Sequence, residues 1–230
     1  MSSTQSGGTN DSERLLSALA EQLKLPLVQI AHGLESGEFQ TSALADNAKL
    51  AIKLIDSFLL SNSHPKQEYL PLEPVSLSAI FQDVAHQLSG HAKRYDCQIE
   101  LSIAGKYQPV MSHRINLYSA MLVLGYSFVE AAGSSESKKI ITLAAHRNKQ
   151  GISGGIFGLT NLNSHFFKKA SQIFGNATQP FTGDSASSGV GIFIANSLLG
   201  QLNSPLYMAR YLNQKGLAAT FIPSSQLRLV

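Results

Sequence analysis

Apolar positions in the first quarter of the chain fall into two helical stripes. Leu16, Leu19, Leu23, Leu27, Ile30 and Leu34 recur at intervals of 3, 4, 4, 3 and 4, the narrow seam of a coiled-coil helix that Asp11 or Ser12 can cap. After the turn-forming stretch ESGEFQTS, a second stripe runs through Leu44, Ala48, Ala51, Ile55, Phe58 and Leu59 and stops before Pro65. The spacing predicts a helical hairpin over residues 13–63, preceded by a disordered tail over residues 1–12. Two helices with one stripe each cannot enclose a core, so two copies are expected to pair into a four-helix bundle, making the protein a homodimer.

Residues 64–75, HPKQEYLPLEPV, carry three prolines and no periodicity and read as a linker. Beyond it, residues 76–230 mix both periods. SLSAIFQDVAHQLSGHAKRYD places Leu77, Ile80, Phe81, Val84 and Leu88 at helical spacing, and CQIELSIA alternates as a strand. INLYSAMLVLGYSFVEAAG is apolar on nearly all sides and predicts a buried helix ending at Gly133; KKIITLAAHR and GISGGIFGLT predict strands, the second weakened by its glycines. A helical stretch near 164–174, the loop GNATQPFTGDSASSG, a helix VGIFIANSLLGQL and a strand pair, PLYMARYLNQ with LAATFIPS, complete the chain. The expected fold class is α+β: the hairpin, then one mixed sheet with helices on one face.

Composition narrows the function classes. Only 14% of the 230 residues are charged, against a usual share of about 25%. A surface so poor in charge tends to have partners. The net charge of +3 comes from scattered residues and short pairs such as Lys138-Lys139 and Lys168-Lys169, which read as solvated surface, so nucleic acid is not expected as a partner. Cys97 is the only cysteine, which excludes an intramolecular disulfide and a cysteine-based zinc site and fits a reducing, cytoplasmic setting. No apolar run approaches the length of a membrane span, and the first residues have neither a basic start nor an apolar stretch. The histidines at 64, 86, 91, 113, 146 and 165 show no metal-ligand spacing.

Five short stretches, in this order, resemble the core of bacterial sensor histidine kinases. EQLKLPL (21–27) is similar to that family's phosphoacceptor stretch, His-Glu-Leu-Lys-Thr-Pro-Leu, with Leu23, Lys24, Pro26 and Leu27 agreeing. YLPLEPVSLSAIFQDVAHQL resembles the segment leading into the ATP-binding domain. QIFGNATQPF resembles the lid motif, with Ile173, Phe174 and Phe181 flanking the nucleotide. SSGVGIFIANSLL is similar to the second glycine box, with Gly189, Gly191, Ile192 and Ile194 in register, and KGLAATFIP resembles the closing strand. The resemblance implies a dimerisation hairpin followed by an α/β sandwich of the histidine-kinase-like ATPase type. It also gives Pro26 a reason: a proline within a helix lacks its N–H and its ring meets the carbonyl four residues back, that of Gln22, and in the family this bend sits beside the phosphorylated residue.

The chemistry that the resemblance implies is missing at three points. Glu21 stands at the phosphoacceptor position, and a carboxylate gives no stable phosphohistidine. Aligned through Glu130 and Ala131, VLGYSFVEA puts Ser127 where the magnesium-binding asparagine belongs, and a hydroxyl is a weaker ligand than an amide or carboxylate oxygen. GGIFGLTNLN occupies the place of the first glycine box without its adenine-reading aspartate, leaving Gly158 or its neighbours there. Glu130 is retained as a candidate general base. Ser127, Phe181, Gly189 and Gly191 remain as a vestigial nucleotide site in which the glycine turn can still hold a phosphate on backbone N–H groups. ATP and magnesium are expected to bind weakly or not at all.

His32 lies eleven residues after Glu21, and at about 100° per residue it projects within about 20° of the same helix face. It can be read as a helix flank near the hairpin turn or as a relocated phosphoacceptor. Three functions therefore stay open: a pseudokinase that holds a response regulator or pairs with a true histidine kinase, an ATP-dependent kinase with divergent motifs, and a histidine phosphotransferase using His32.

Overall fold

The computed structural model describes residues 7–36, 41–62, 70–103, 105, 107–133, 139–158, 170 and 186–224. Two long helices open the chain, α1 (Gly7–Glu35) and α2 (Thr41–Asn62). Helix α1 begins at Gly7, inside the stretch expected to be a disordered tail, and runs through Pro26 without ending. The predicted linker ends in a short strand, β1 (Glu73–Val75), which pairs antiparallel with β3 (Val110–Ser112), a strand the pattern did not reveal because three residues cannot show a period. Between them lie α3 (Leu77–Arg94) and β2 (Cys97–Ile103). Ser76 caps α3, its hydroxyl accepting from the Ala79 N–H at 3.3 Å.

The remaining elements are α4 (Arg114–Gly133), β4 (Lys139–Asn148), β5 (Gly151–Gly158), α5 (Ala186–Gly200), β6 (Tyr207–Tyr211) and β7 (Gln214–Phe221). The predicted helix near 164–174 lies, apart from the helical and buried Ala170, outside the described residues. The five-stranded sheet has the order β2-β4-β5-β7-β6; β2 runs parallel to β4 and every other pair is antiparallel. This is the mixed sheet that the pattern predicts.

Strand alternation sends Ile141, Leu143 and Ala145 of β4, Ile152 and Ile156 of β5, and Leu217, Ala219 and Phe221 of β7 into the main core. The opposite face carries a smaller cluster of Ala144, Phe157 and Ala218. There the Tyr211 hydroxyl on edge strand β6 lies 2.7 Å from the Ser102 hydroxyl on β2, the other edge, so the sheet is curled enough for its two edges to touch.

Helix α4 is enclosed by the sheet, α3, α5 and α2. Enclosure explains why its sequence shows no single apolar face: a helix covered on all sides is apolar all round. Arg114–Ala132 is in fact long and apolar enough to cross a membrane, contrary to the expectation from the sequence, but 72% of that window is buried within the fold, as a central helix requires.

The hairpin is seated on this domain. Leu19 of α1 and Leu50, Leu54 and Phe58 of α2 belong to the same continuous core as α4 and α5. The Gln201 side chain donates to the Ser61 carbonyl at 2.9 Å and accepts from Asn116 Nδ2 at 2.9 Å, tying the end of α2 to the start of α4. At the other end of α2, Arg94 donates to Asn47 Oδ1. The single stripe read from α1 is thereby split: Leu19 is buried while Leu16, Leu27 and Leu34 are 59%, 54% and 54% exposed. On α2, Ile52, Ile55 and Leu59 form the matching exposed row. The hairpin's own chain covers half of what sequence reasoning assigned wholly to a second copy.

Candidate functional site

Helices α4 and α5 meet where the sequence places the vestigial nucleotide site. Gly189 and Gly191 are buried on α5, and Ser127 is fully buried on α4. Its hydroxyl donates to the Val123 carbonyl one turn back, at 3.1 Å. A Cβ added to Gly191 would stand 2.1 Å from Ser127 Oγ and 2.9 Å from the Val123 oxygen, so the two helices touch backbone to side chain with no layer between them. Ser127, which the sequence aligns with the magnesium-binding asparagine, is here occupied in closing the contact with Gly191, together with the Val123 carbonyl. Gly158 ends β5, buried and paired with Ile141. Phe181, with Ile173 and Phe174, lies outside the described residues.

Glu130 lies one turn beyond Ser127 on α4. The residue as a whole is partly exposed, but its Oε2 is shut away without a hydrogen-bond partner, and burial raises its pKa to about 7. The carboxyl is close enough to Tyr95 for its charge to help raise the Tyr95 pKa, after the larger effect of burial. A carboxyl with this pKa can take or release a proton near neutrality. It shares α4 with Ser127, the residue that meets Gly191 of α5, while His32 lies on α1.

His32 is exposed in the last turn of α1, its carbonyl accepting from the Ser36 N–H at 2.9 Å. Glu21 lies in the same helix, and its side chain is outside the described set. Pro26 is buried. Among the described residues, no three His, Cys, Asp or Glu side chains gather as a metal-ligand group.

Sequence reasoning missed a polar cavity of about 30 Å³ where the hairpin meets the domain, lined by Asp46 and Lys49 of α2, Gln87, His91 and Arg94 of α3, and Tyr126 of α4. His91 is 5% exposed; burial first, and the Arg94 charge second, lower its pKa to about 4. Its ring lies 4.9 Å from that of Tyr95 and edge-on to Tyr126 at 5.0 Å. Burial pushes Tyr126 up to about 12 despite a hydrogen bond from Gln87. Three separate helices contribute these groups, so no local motif marks them; the only signal was a histidine on the apolar side of α3.

No family model matches the sequence, and no curated protein does. Solved structures do resemble it in fold. The catalytic domain of the histidine kinase ThkA superposes with a TM-score of 0.52 at 13% identity, covering 67% of this chain and 96% of that one. A bacterial phosphotransferase matches at 0.52 and 12% identity over 94% of this chain and 98% of its own, hairpin included. The Acinetobacter baumannii histidine kinase AdeS gives 0.51 at 12% identity over 88% and 98%. The chain has the fold of a histidine kinase core: a helical hairpin joined to a kinase-like α/β sandwich.

Proposed function

We propose that the protein is a pseudokinase of this fold, a signalling module that acts by binding a response regulator or a histidine kinase and pairs with a second copy through its hairpin. The carrying observation is the α4–α5 contact. On this reading a nucleotide held by the glycine turn beside Ser127 would need room between α4 and α5, and Gly191 lies directly on Ser127. The Ser127 hydroxyl that a metal would need is fully buried and packed against Gly191. On this reading Glu130 is a relic, a buried acid beside a closed groove.

The exposed apolar row of Leu16, Leu27 and Leu34 beside Ile52, Ile55 and Leu59 supports pairing through the hairpin. Calorimetric titration with ATP, with and without magnesium, tests the reading. No saturable binding up to millimolar nucleotide is expected; tight, magnesium-dependent binding would instead establish an ATP-dependent kinase with divergent motifs.

One observation favours a second reading, a histidine phosphotransferase. His32 is exposed on the hairpin, as a residue receiving phosphate from another protein must be, and the likeness to a bacterial phosphotransferase spans hairpin and domain together. Transfer of phosphate from a phosphorylated response regulator that disappears in His32→Ala would establish it. The same transfer persisting in that variant would remove His32 from consideration.

A further inference from the structure

We propose that the cavity between α2, α3 and α4 binds a hydrogen phosphate group. Five of the six lining residues named above can donate. Lys49 makes no ion pair among the described residues. Arg94 directs NH1 to Asn47 Oδ1 and holds NH2 3.4 Å from His91 Nδ1, which leaves N–H donors of its guanidinium for a ligand. Because His91 Nδ1 faces a donor, it accepts, and the ring proton belongs on Nε2. That Nε2 is buried and has no partner. A buried donor without an acceptor is a standing cost that an oxygen ligand removes. The Gln87 amide and the Tyr126 hydroxyl complete the donor set.

Asp46 decides which anion. It is the one acceptor-only group in the wall when ionised, and it repels an oxyanion that has no proton. Hydrogen phosphate offers oxygens to the cations and an O–H to the carboxylate, whereas sulfate has the same shape and no proton at neutral pH. A 30 Å³ enclosure holds roughly two water-sized oxygens, so the group seats two oxygens inside and the rest at the open mouth. Asp46 and Lys49 come from the hairpin, and the other groups from the α/β domain. A ligand held by both therefore stabilises the seated hairpin.

The test is calorimetric titration of the full chain with inorganic phosphate, sulfate and methyl phosphate. Saturable phosphate binding with a Kd on the order of a millimolar or tighter, and sulfate at least about tenfold weaker, are expected. Lys49→Gln should weaken phosphate about tenfold, and Asp46→Asn should bring sulfate close to phosphate; unchanged circular dichroism confirms that the variants fold. Methyl phosphate, mostly a dianion without an O–H at neutral pH, should bind weakly like sulfate, and its binding as tightly as phosphate overturns the role given to Asp46. Absence of saturable phosphate binding, equal affinity for sulfate, or indifference to Lys49→Gln overturns the proposal.

Discussion

Gly191 and Ser127 face each other across α5 and α4 with no room for a methyl group: a Cβ at Gly191 would lie 2.1 Å from the Ser127 hydroxyl. The worst of the clash is with a side chain, and the remainder, 2.9 Å, is with the backbone oxygen of Val123, which cannot turn away. Gly191→Ala is therefore expected to destabilise the protein by about 1–3 kcal/mol, the usual cost of overpacking. Adding Ser127→Ala removes the hydroxyl and should restore part of the loss, leaving the share due to Val123. Denaturant unfolding of the two single variants and the double variant measures the coupling; strictly additive losses would mean that the helices do not meet as described.

That contact also shows what the sequence could and could not disclose. Gly189 and Gly191 are visible in the chain as a glycine pair opening a helix, and such a pair serves equally to hold a phosphate or to let another helix approach. Only the position of Ser127 on the neighbouring helix separates the two uses, and the two residues stand 64 positions apart, too far for any local pattern. α3, α4, β4 and the β6–β7 hairpin were legible because burial on one face, or on every face as in α4, writes itself into the order of side chains. The seat of the hairpin was not legible. Leu19 and Leu27 belong to one stripe in sequence, yet one is 5% and the other 54% exposed, because the stripe is wide enough to serve two neighbours at once. His91, Arg94 and Asp46 were scattered polar residues until three helices brought them around one cavity.

Burial of two ionisable groups, His91 and Glu130, gives opposing pH effects. His91 has its pKa lowered from 6.5 to about 4, so its contribution is present above pH 6.5 and is lost as pH falls toward 4, where the unfolded chain binds the proton that the folded one refuses. Glu130 has its pKa raised from 4.5 to about 7, so its contribution is present below pH 4.5 and is lost as pH rises toward 7. Each amounts to about 3 kcal/mol across its window, and between pH 4.5 and 6.5 the two slopes cancel. Wild-type stability should be nearly flat there. Glu130→Gln should turn it into a rise with pH over the same range, and His91→Gln into a fall. Urea midpoints at half-unit pH steps read the slopes, and identical slopes in all three proteins would rule out burial of either group.

Seating of the hairpin rests on α2, and two substitutions separate its apolar and polar parts. Leu54 is 1% exposed, and Leu54→Ala should cost about 2–5 kcal/mol through lost burial and the cavity left behind. Gln201→Ala strips the buried Asn116 amide of its acceptor and the Ser61 carbonyl of its donor, at a cost of about 1–3 kcal/mol. The two should differ in kind. Loss of Gln201 should speed hydrogen exchange chiefly at the end of α2, where its bond to Ser61 lies, while loss of Leu54 should speed it along α2 and the facing part of α4. Uniform acceleration in both variants would place the hairpin and the domain in a single cooperative unit.

Pairing of two copies needs the face that the domain leaves open. Leu27 is 54% and Ile55 38% exposed, on adjacent helices of the hairpin and turned from the core that holds Leu54 and Phe58. Burying such a row against its own copy in a four-helix bundle removes apolar surface worth about 25 cal/mol per Å², with no rearrangement of the seated hairpin. A charge at both positions should abolish this, because it would have to be buried without a partner. Sedimentation velocity is expected to give a dimer for the wild type at micromolar concentration and a monomer for the Leu27→Glu, Ile55→Glu double variant. The melting temperature measured at low concentration should stay nearly the same, since neither side chain belongs to the core. A wild type that remains monomeric at hundreds of micromolar would show that the open row serves a different protein.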